Sequence, residues 1–400
     1  MHERSLLVGA LALGLAACQD PVAAPSAGPN EVKPTFARAG EPQSIAGQYI
    51  VVFKSDVADV GGLAARLAAQ YGGVRSHTYS RALKGFAGTL PAAAAAALAR
   101  HPSVAYVEPD QPVYASTLQS GATWGIDRID QRLRPLSGTY SYTATGAGVR
   151  AYIIDTGILF SHGEFGGRAT SGYDAVDGGT ADDCNGHGTH VAGTVGGATY
   201  GVAKGVSLVA VRVLNCSGSG TTAGVIAGID WVTADHQAGQ PAVANMSLGG
   251  GASTALDDAV RRSIADGVTY SIAAGNGFLG LFAQNACNSS PARVAEAITV
   301  SATDNTDRKP SWANIGSCVD LFAPGINILS AWYTGISATN IISGTSMATP
   351  HVTGVSALYV EGNLGATPQQ VRDAIVNNAT TGVVSNAGTG SPNRLLFSSY

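Results

Sequence analysis

Three short segments carry residue types that together perform nucleophilic acyl transfer. Ile153-Ile154-Asp155-Thr156-Gly157 ends an apolar run on an acid and a glycine turn. Residues 185–193, N-G-H-G-T-H-V-A-G, put His187 at a glycine-rich helix start, and 343–351, S-G-T-S-M-A-T-P-H, put Ser346 at another. A serine hydroxyl is a poor nucleophile until a base takes its proton. That base in turn needs an acid to fix its tautomer and to stabilise the imidazolium. Singly, each residue has an ordinary use: a strand-end Asp forms turns, a His packs, a Ser caps a helix. Together they make a triad. Ser346 at a helix N-terminus adds backbone donors where a tetrahedral oxyanion forms, and Asn276, closing Ala273-Ala274-Gly275-Asn276, offers a second donor.

The elements that must position these residues alternate in kind. Near-continuous apolar runs at 149–154, 208–214, 242–248, 268–274 and 297–302 read as strands buried on both faces. Helical stretches at 221–237 and 253–266 lie between them. This pattern predicts an α/β fold, a mostly parallel sheet with helices on both faces, with working residues at the carboxyl ends of strands. Pro350 is expected to be tolerated as a first-turn residue of its helix. Ahead of this region, 48–110 reads as a small α+β domain: strands at 49–53, 83–90 and 104–108, helices at 60–70 and 91–100. A polar connector follows at 115–123.

Composition narrows the compartment and partners. Charged residues make up 12% of the 400, Gly numbers 52, and the net charge is −4, so nothing favours nucleic acid. An apolar run at 6–17 after Arg4 suits an export signal and is too short to span a bilayer. The signal is assigned to 1–18 and a Pro/Ala-rich disordered tether to 19–46. The stretch before Cys18 resembles a bacterial lipoprotein cleavage box, which would place a lipid anchor on Cys18; the alternative is an ordinary secretory signal. Location is therefore secreted or cell envelope. Four further cysteines, Cys184, Cys216, Cys287 and Cys318, allow three disulfide pairings, and spacing alone does not choose among them.

D-T-G, H-G-T-H-V-A-G and G-T-S-M-A-T-P-H in this order resemble the subtilisin-like serine peptidases. W-G-I-D-R-I-D-Q at 124–131, D-C-N-G-H at 183–187, V-R-V-L-N-C at 211–216 and S-P-N-R-L-L at 391–396 are similar to the proteinase K branch and its aqualysin-like enzymes. The likeness covers nearly all of the chain after Thr117. Y-I-V-V-F-K, L-K-G-F-A-G and V-A-Y-V-E-P-D-Q within 48–110 resemble the family's propeptide. The resemblance implies a self-processing serine endopeptidase precursor, with 47–114 acting as intramolecular chaperone and inhibitor and 117–400 as the peptidase.

It implies more at single positions. Asp155, His187 and Ser346 would be the triad and Asn276 the oxyanion donor. Ser247, Leu248, Gly249 and Gly250 would form one wall of the substrate pocket, and Ala273, Ala274 and Gly275 the other. Small walls imply a large apolar or aromatic P1 residue. The implied disulfides are Cys184–Cys216 and Cys287–Cys318. Structural Ca²⁺ is expected at Asp320 with the carbonyls of Ala295 and Ala297, and at a second set, Asp127, Asp130 and Gln131, where Ser137 stands in place of an acid seen in related enzymes. No catalytic cofactor is expected; protein and peptide substrates and a monomer are. Residues 277–286 are longer than the related pattern and are expected near the cleft rim. No further domain is expected after the S-P-N-R stretch. An inactive binding homologue would lack part of the triad, and an esterase would carry G-x-S-x-G; neither holds.

Overall fold

The structure is a computed structural model describing residues 44–110, 117–277 and 280–400. The expected signal, Cys18 and most of the tether lie outside the described residues. The chain divides into two units, 1–112 and 113–400, each with its own core.

The first unit builds a four-stranded antiparallel sheet from β1 (Gln48–Phe53), β2 (Val74–Tyr79), β3 (Gly85–Thr89) and β4 (Val104–Pro109), in the order β2-β3-β1-β4. Two helices, α1 (Val60–Gln70) and α2 (Ala92–Leu98), complete it. Asp59 caps α1 by accepting from Gly62 N at 2.9 Å. Val51, Phe53, Ala64, Leu67, Phe86 and Leu98 pack together between helices and sheet. The edge strand β2 was not foreseen. Its residues V-R-S-H-T-Y are exposed along almost their whole length, so no apolar alternation marks them.

The second unit carries a nine-stranded sheet. Its strands are β5 (Arg150–Asp155), β6 (Ala169–Asp174), β7 (Ser207–Arg212), β8 (Ala242–Met246), β9 (Thr269–Ala273), β10 (Ile298–Thr303), β11 (Leu321–Pro324), β12 (Thr380–Thr381) and β13 (Arg394–Leu395). The order is β12-β13-β11-β10-β9-β8-β5-β7-β6. Every pairing is parallel except the edge pair β12–β13. The expected parallel sheet is therefore present, with polar β6 and the short strands β11–β13 added to it.

Side chains alternate across the sheet, and so do the cores. Ala151 and Ile153 of β5 pack toward α3 (Trp124–Ile129), α4 (His187–Gly196), α7 (Thr345–Gly362) and α8 (Pro368–Asn378). Tyr152 and Ile154 pack toward α5 (Thr222–Asp235) and α6 (Thr254–Asp266) on the opposite face. Thr221 and Ser253 cap those two helices through their hydroxyls. Among the described residues no helix is long and apolar enough to cross a membrane.

Both expected disulfides are formed. Cys184 joins Cys216 and Cys287 joins Cys318, closing separations of 32 and 31 residues. Loops of this size restrict the unfolded chain by roughly 3–4 kcal/mol each. The double variant Cys184→Ser/Cys216→Ser is expected to lose about 3 kcal/mol of unfolding free energy, read as a lower denaturant midpoint. An unchanged midpoint would refute a stabilising role for that bridge.

Candidate active site

The three strands that matter end side by side. β5 delivers Asp155, and its neighbour β8 runs on into Ser247-Leu248-Gly249-Gly250. The next strand, β9, runs on into Ala274, Gly275 and Asn276. Helices α4 and α7 start over the same edge and bring His187 and Ser346.

Asp155 is fully buried. Its Oδ1 accepts from Thr156 N at 2.8 Å and pairs with His187 Nδ1 at 2.7 Å. Burial alone would lower the pKa of His187. The charge and hydrogen bond of Asp155, and then the charge of Asp183, outweigh that and raise it above the ordinary histidine value. The other two histidines of these motifs are unsuited to act as base. His190 and His351 are buried, bonded to the carbonyls of Ile328 and Met347, and held down near pKa 4 by burial. Only His187 combines a carboxylate partner with partial exposure.

Asp183, absent from the sequence-based site, organises this corner. Its buried carboxylate accepts from Thr156 Oγ1, Asn185 N, Gly186 N, Thr189 N and Thr189 Oγ1, at 2.6–2.9 Å. Thr156 Oγ1 in turn accepts from Gly188 N at 2.8 Å. The residue after Asp155 and the first turn of α4 are thus bound to one carboxylate. Gly186 precedes His187 at φ 108, where a Cβ would also meet the Trp332 ring, so only glycine turns the chain there.

Ser346 is held by the end of β8. Its Oγ donates to Ser247 O at 3.1 Å, and its carbonyl accepts from Ser247 Oγ at 2.7 Å. The second bond corrects the expectation for Pro350. That residue is the sixth of α7, not in its first turn, and its missing N–H leaves the Ser346 carbonyl without a helical donor. The Ser247 hydroxyl supplies one. Among the described residues Ser346 Oγ makes no hydrogen bond to His187, as is common before substrate enters such sites.

Asn276 Oδ1 accepts from both Thr345 N and Thr345 Oγ1 at 2.9 Å, which fixes its amide nitrogen on the other side. A methyl on Gly344 would stand 3.5 Å from Asn276 Nδ2 and 3.5 Å from Ser346 N. Two donors therefore border one small space beside the nucleophile. The pocket walls are also fixed from behind: Asn314 Nδ2 donates to Ala274 O at 2.8 Å, and Gly250 pairs with Ser290 in a short ladder. In the longer segment 277–286, residues 278 and 279 lie outside the described residues. Its second half is stitched to 311–315, while Leu281 and Phe282 are 56% and 70% exposed.

The expected metal ligands separate into two cases. Asp320 and the Ala297 carbonyl are both bound by Arg372, at 2.5 and 3.1 Å, so this set does not fit calcium as it stands; Ala295 lies exposed in the turn before β10. Burial pushes the Asp320 carboxyl up against the opposing Arg372 charge. Asp127 and Asp130 do come together on α3 and its C-cap, with Gln131 next in the chain. Ser137 and Gly138 donate to Asp127, Ser137 N also donates to Gln131 Oε1 at 3.2 Å, and Ser141 N donates to Asp130 at 2.6 Å. Burial, against the Ser141 bond and with the charge of Asp127, pushes Asp130 up to about 6. The set is rich in oxygen, which is what a hard cation requires, but each of its side chains already accepts from residues 137–141. Among the described residues no three His, Cys, Asp or Glu side chains gather for a metal.

A nucleophilic serine, a carboxylate-oriented histidine and a two-donor space at the carboxyl edge of a parallel sheet define a serine hydrolase of the α/β class. The subtilase family pattern matches residues 146–395, and the peptidase inhibitor I9 pattern matches 48–116. The chain belongs to the subtilase family of serine proteinases and carries an inhibitor-type domain ahead of the peptidase. It is similar to the extracellular serine proteinase of Thermus sp. strain Rt41A, at 52% identity over 99% of this chain and 98% of that protein. It is also similar to alkaline serine exoprotease A of Vibrio alginolyticus, at 48% identity over 92% and 71%. The crystal structure of a cold adapted subtilisin-like serine proteinase matches with a TM-score of 0.67 and 55% identity, over 70% of this chain and all of that one. Subtilases generally bind structural calcium and need no cofactor for the chemistry.

Asp183→Asn removes a charge near His187 and turns an N–H₂ toward donors. The acid limb of kcat/KM reports loss of the neutral His187 base, whose pKa the charges of Asp155 and Asp183 raise, so removing the Asp183 charge is expected to move that limb to lower pH. Loosened alignment should also lower kcat/KM by roughly 10–100-fold. An unmoved acid limb with unchanged kcat/KM would refute the role of Asp183.

Proposed function

We propose that this proteinase is an exported, self-processing endopeptidase. Ser346 attacks the scissile carbonyl, His187 takes its proton and returns it to the leaving amine, and Asp155 holds the imidazole in the required tautomer. Asn276 Nδ2 and Ser346 N receive the oxyanion as charge develops. The single observation that carries this reading is the Asp155–His187 pair at the end of β5, with Ser346 and its two-donor space held by the end of the neighbouring strand β8. The substrate backbone would pair with 247–249 in extended form, a strand added to an existing edge. Export accords with the apolar 6–17 stretch and with the extracellular relative.

The precursor reading places the inhibitor unit at 47–114 and the mature start near Thr117. It is supported by the inhibitor match ending at 116 and by the strand Thr117–Ser120, which pairs with Thr139–Tyr142 within the peptidase unit. A structural calcium would be held by Asp127, Asp130 and Gln131.

Ser346→Ala is expected to abolish cleavage of casein and to accumulate as full-length precursor, seen by gel and N-terminal sequencing. Wild-type protein should begin near Thr117. Normal peptidase activity in Ser346→Ala would overturn the mechanism, and fully active enzyme starting before Gln48 would overturn the precursor reading.

A large apolar or aromatic P1 residue is proposed because both pocket walls are built, Leu248 apart, from small residues and carry no acid at these positions. Mapping of cleavage sites in a mixed peptide pool should show enrichment of Phe, Tyr and Leu at P1. Enrichment of Lys and Arg would refute it.

A further inference from the structure

The oxygens expected to hold calcium at Asp320 already face a cation belonging to the chain. Asp320 stands immediately before β11, and Ala297 immediately before the neighbouring parallel strand β10. Asp320 Oδ2 accepts from Thr299 N at 2.8 Å, and Oδ1 accepts from Arg372 Nη2 at 2.5 Å. Arg372 Nε donates to the Ala297 carbonyl at 3.1 Å. One planar guanidinium, carried on α8, spans two of the three expected ligands. Its neighbour Val371 is fully buried, so the helix that carries the arginine is anchored in the core.

A guanidinium and a divalent ion cannot share these oxygens. The two cations repel each other, and the lone pairs that would coordinate the metal are aimed at N–H donors. The guanidinium is also part of the chain, so this cation is not lost to the medium as a bound ion is. The carboxylate is itself mostly covered, as is the arginine, so neither charge is well served by water if the other is removed.

We infer that Arg372 is a built-in replacement for the metal at this site. It joins β10, β11 and α8 without calcium, and whatever calcium dependence the protein has does not run through Asp320. This inference rests on the contacts around Asp320 and stands apart from the proteinase reading.

The test uses processed enzyme inactivated by a serine-directed covalent reagent, so that autolysis does not enter. Thermal midpoints are read in millimolar calcium chloride and in chelator, for the parent, Asp320→Asn and Arg372→Ser. Each is repeated with Asp127→Asn to remove the other acidic set. Asp320→Asn is expected to lower the midpoint equally in calcium and in chelator, leaving the difference between them at the parent's value. Arg372→Ser, which frees the oxygens, is expected to lower the midpoint in chelator and to recover part of the loss in calcium, so its difference widens. A calcium-minus-chelator difference that shrinks in Asp320→Asn would overturn the inference, because calcium would then be acting through that carboxylate. A difference that stays at the parent's value in Arg372→Ser would overturn it too. Should Arg372→Ser fail to fold, Asp320→Asn alone decides.

Discussion

The site depends on one short contact, the pair between buried Asp155 and His187 at 2.7 Å. It joins the end of a strand to the start of a helix that follows more than thirty residues later, and a buried carboxylate tolerates little error in where its partner stands. Among the described residues Asp155 Oδ2 finds no hydrogen-bond partner, so His187 and the Thr156 N–H hold the carboxylate through Oδ1. The two elements must therefore be locked by something other than the pair itself. Asp183 does this with five donors drawn from both sides. Cys184, next in the chain, is tied to Cys216. The loop that carries the lock is thus itself fastened, and part of what the disulfide contributes is order in the first turn of α4 as well as entropy taken from the unfolded chain.

The nucleophile side uses the same device with hydroxyls in place of carboxylates. Ser247 Oγ accepts from Asn245 Nδ2 at 2.8 Å and donates to Ser346 O. Thr345 Oγ1 accepts from Gly275 N at 3.1 Å and donates to Asn276 Oδ1. Each hydroxyl acts as donor and acceptor at once, bridging a strand end to the helix that presents Ser346. The helix has a defect there, since Pro350 cannot serve the Ser346 carbonyl, and that vacancy is the acceptor by which β8 grips α7. A proline that would cost stability in an isolated helix here creates the acceptor through which strand and helix are joined.

Much of this was legible in the sequence, and what escaped has a common physical reason. The residues proposed as a triad each sit in a short local pattern: an apolar run ending in Asp, a glycine-rich helix start, a serine ahead of a helix. Strands with continuous apolar runs were found for the same reason. Edge strand β2 and polar β6 escaped because neither shows a continuous apolar face. Asp183 escaped because a carboxylate shared among backbone N–H groups leaves no trace in residue types; three of its five donors are main-chain. Pro350 reads as a first-turn residue from the sequence because residue types mark a helix start only to within a few positions, whereas the helix begins at Thr345. Arg372 escaped because it lies 52 residues beyond Asp320 and looks like any solvated arginine on a helix.

The last of these omissions bears on how a family trait can change while its geometry persists. The carbonyl of Ala297 and the carboxylate of Asp320 remain where parallel strands β10 and β11 place them, so the demand for positive charge between them remains as well. A calcium ion meets such a demand from solution, and its contribution rises and falls with calcium concentration. An arginine meets it from within the chain, at the entropic cost of ordering one long side chain, and its contribution is independent of the medium. The exchange also alters what the site connects. A metal at this position would join two strand ends, whereas the guanidinium adds α8 to them, because the side chain must be carried by a helix packed in the same core. The two solutions answer the same electrostatic problem but differ in which elements unfold together when the site is lost.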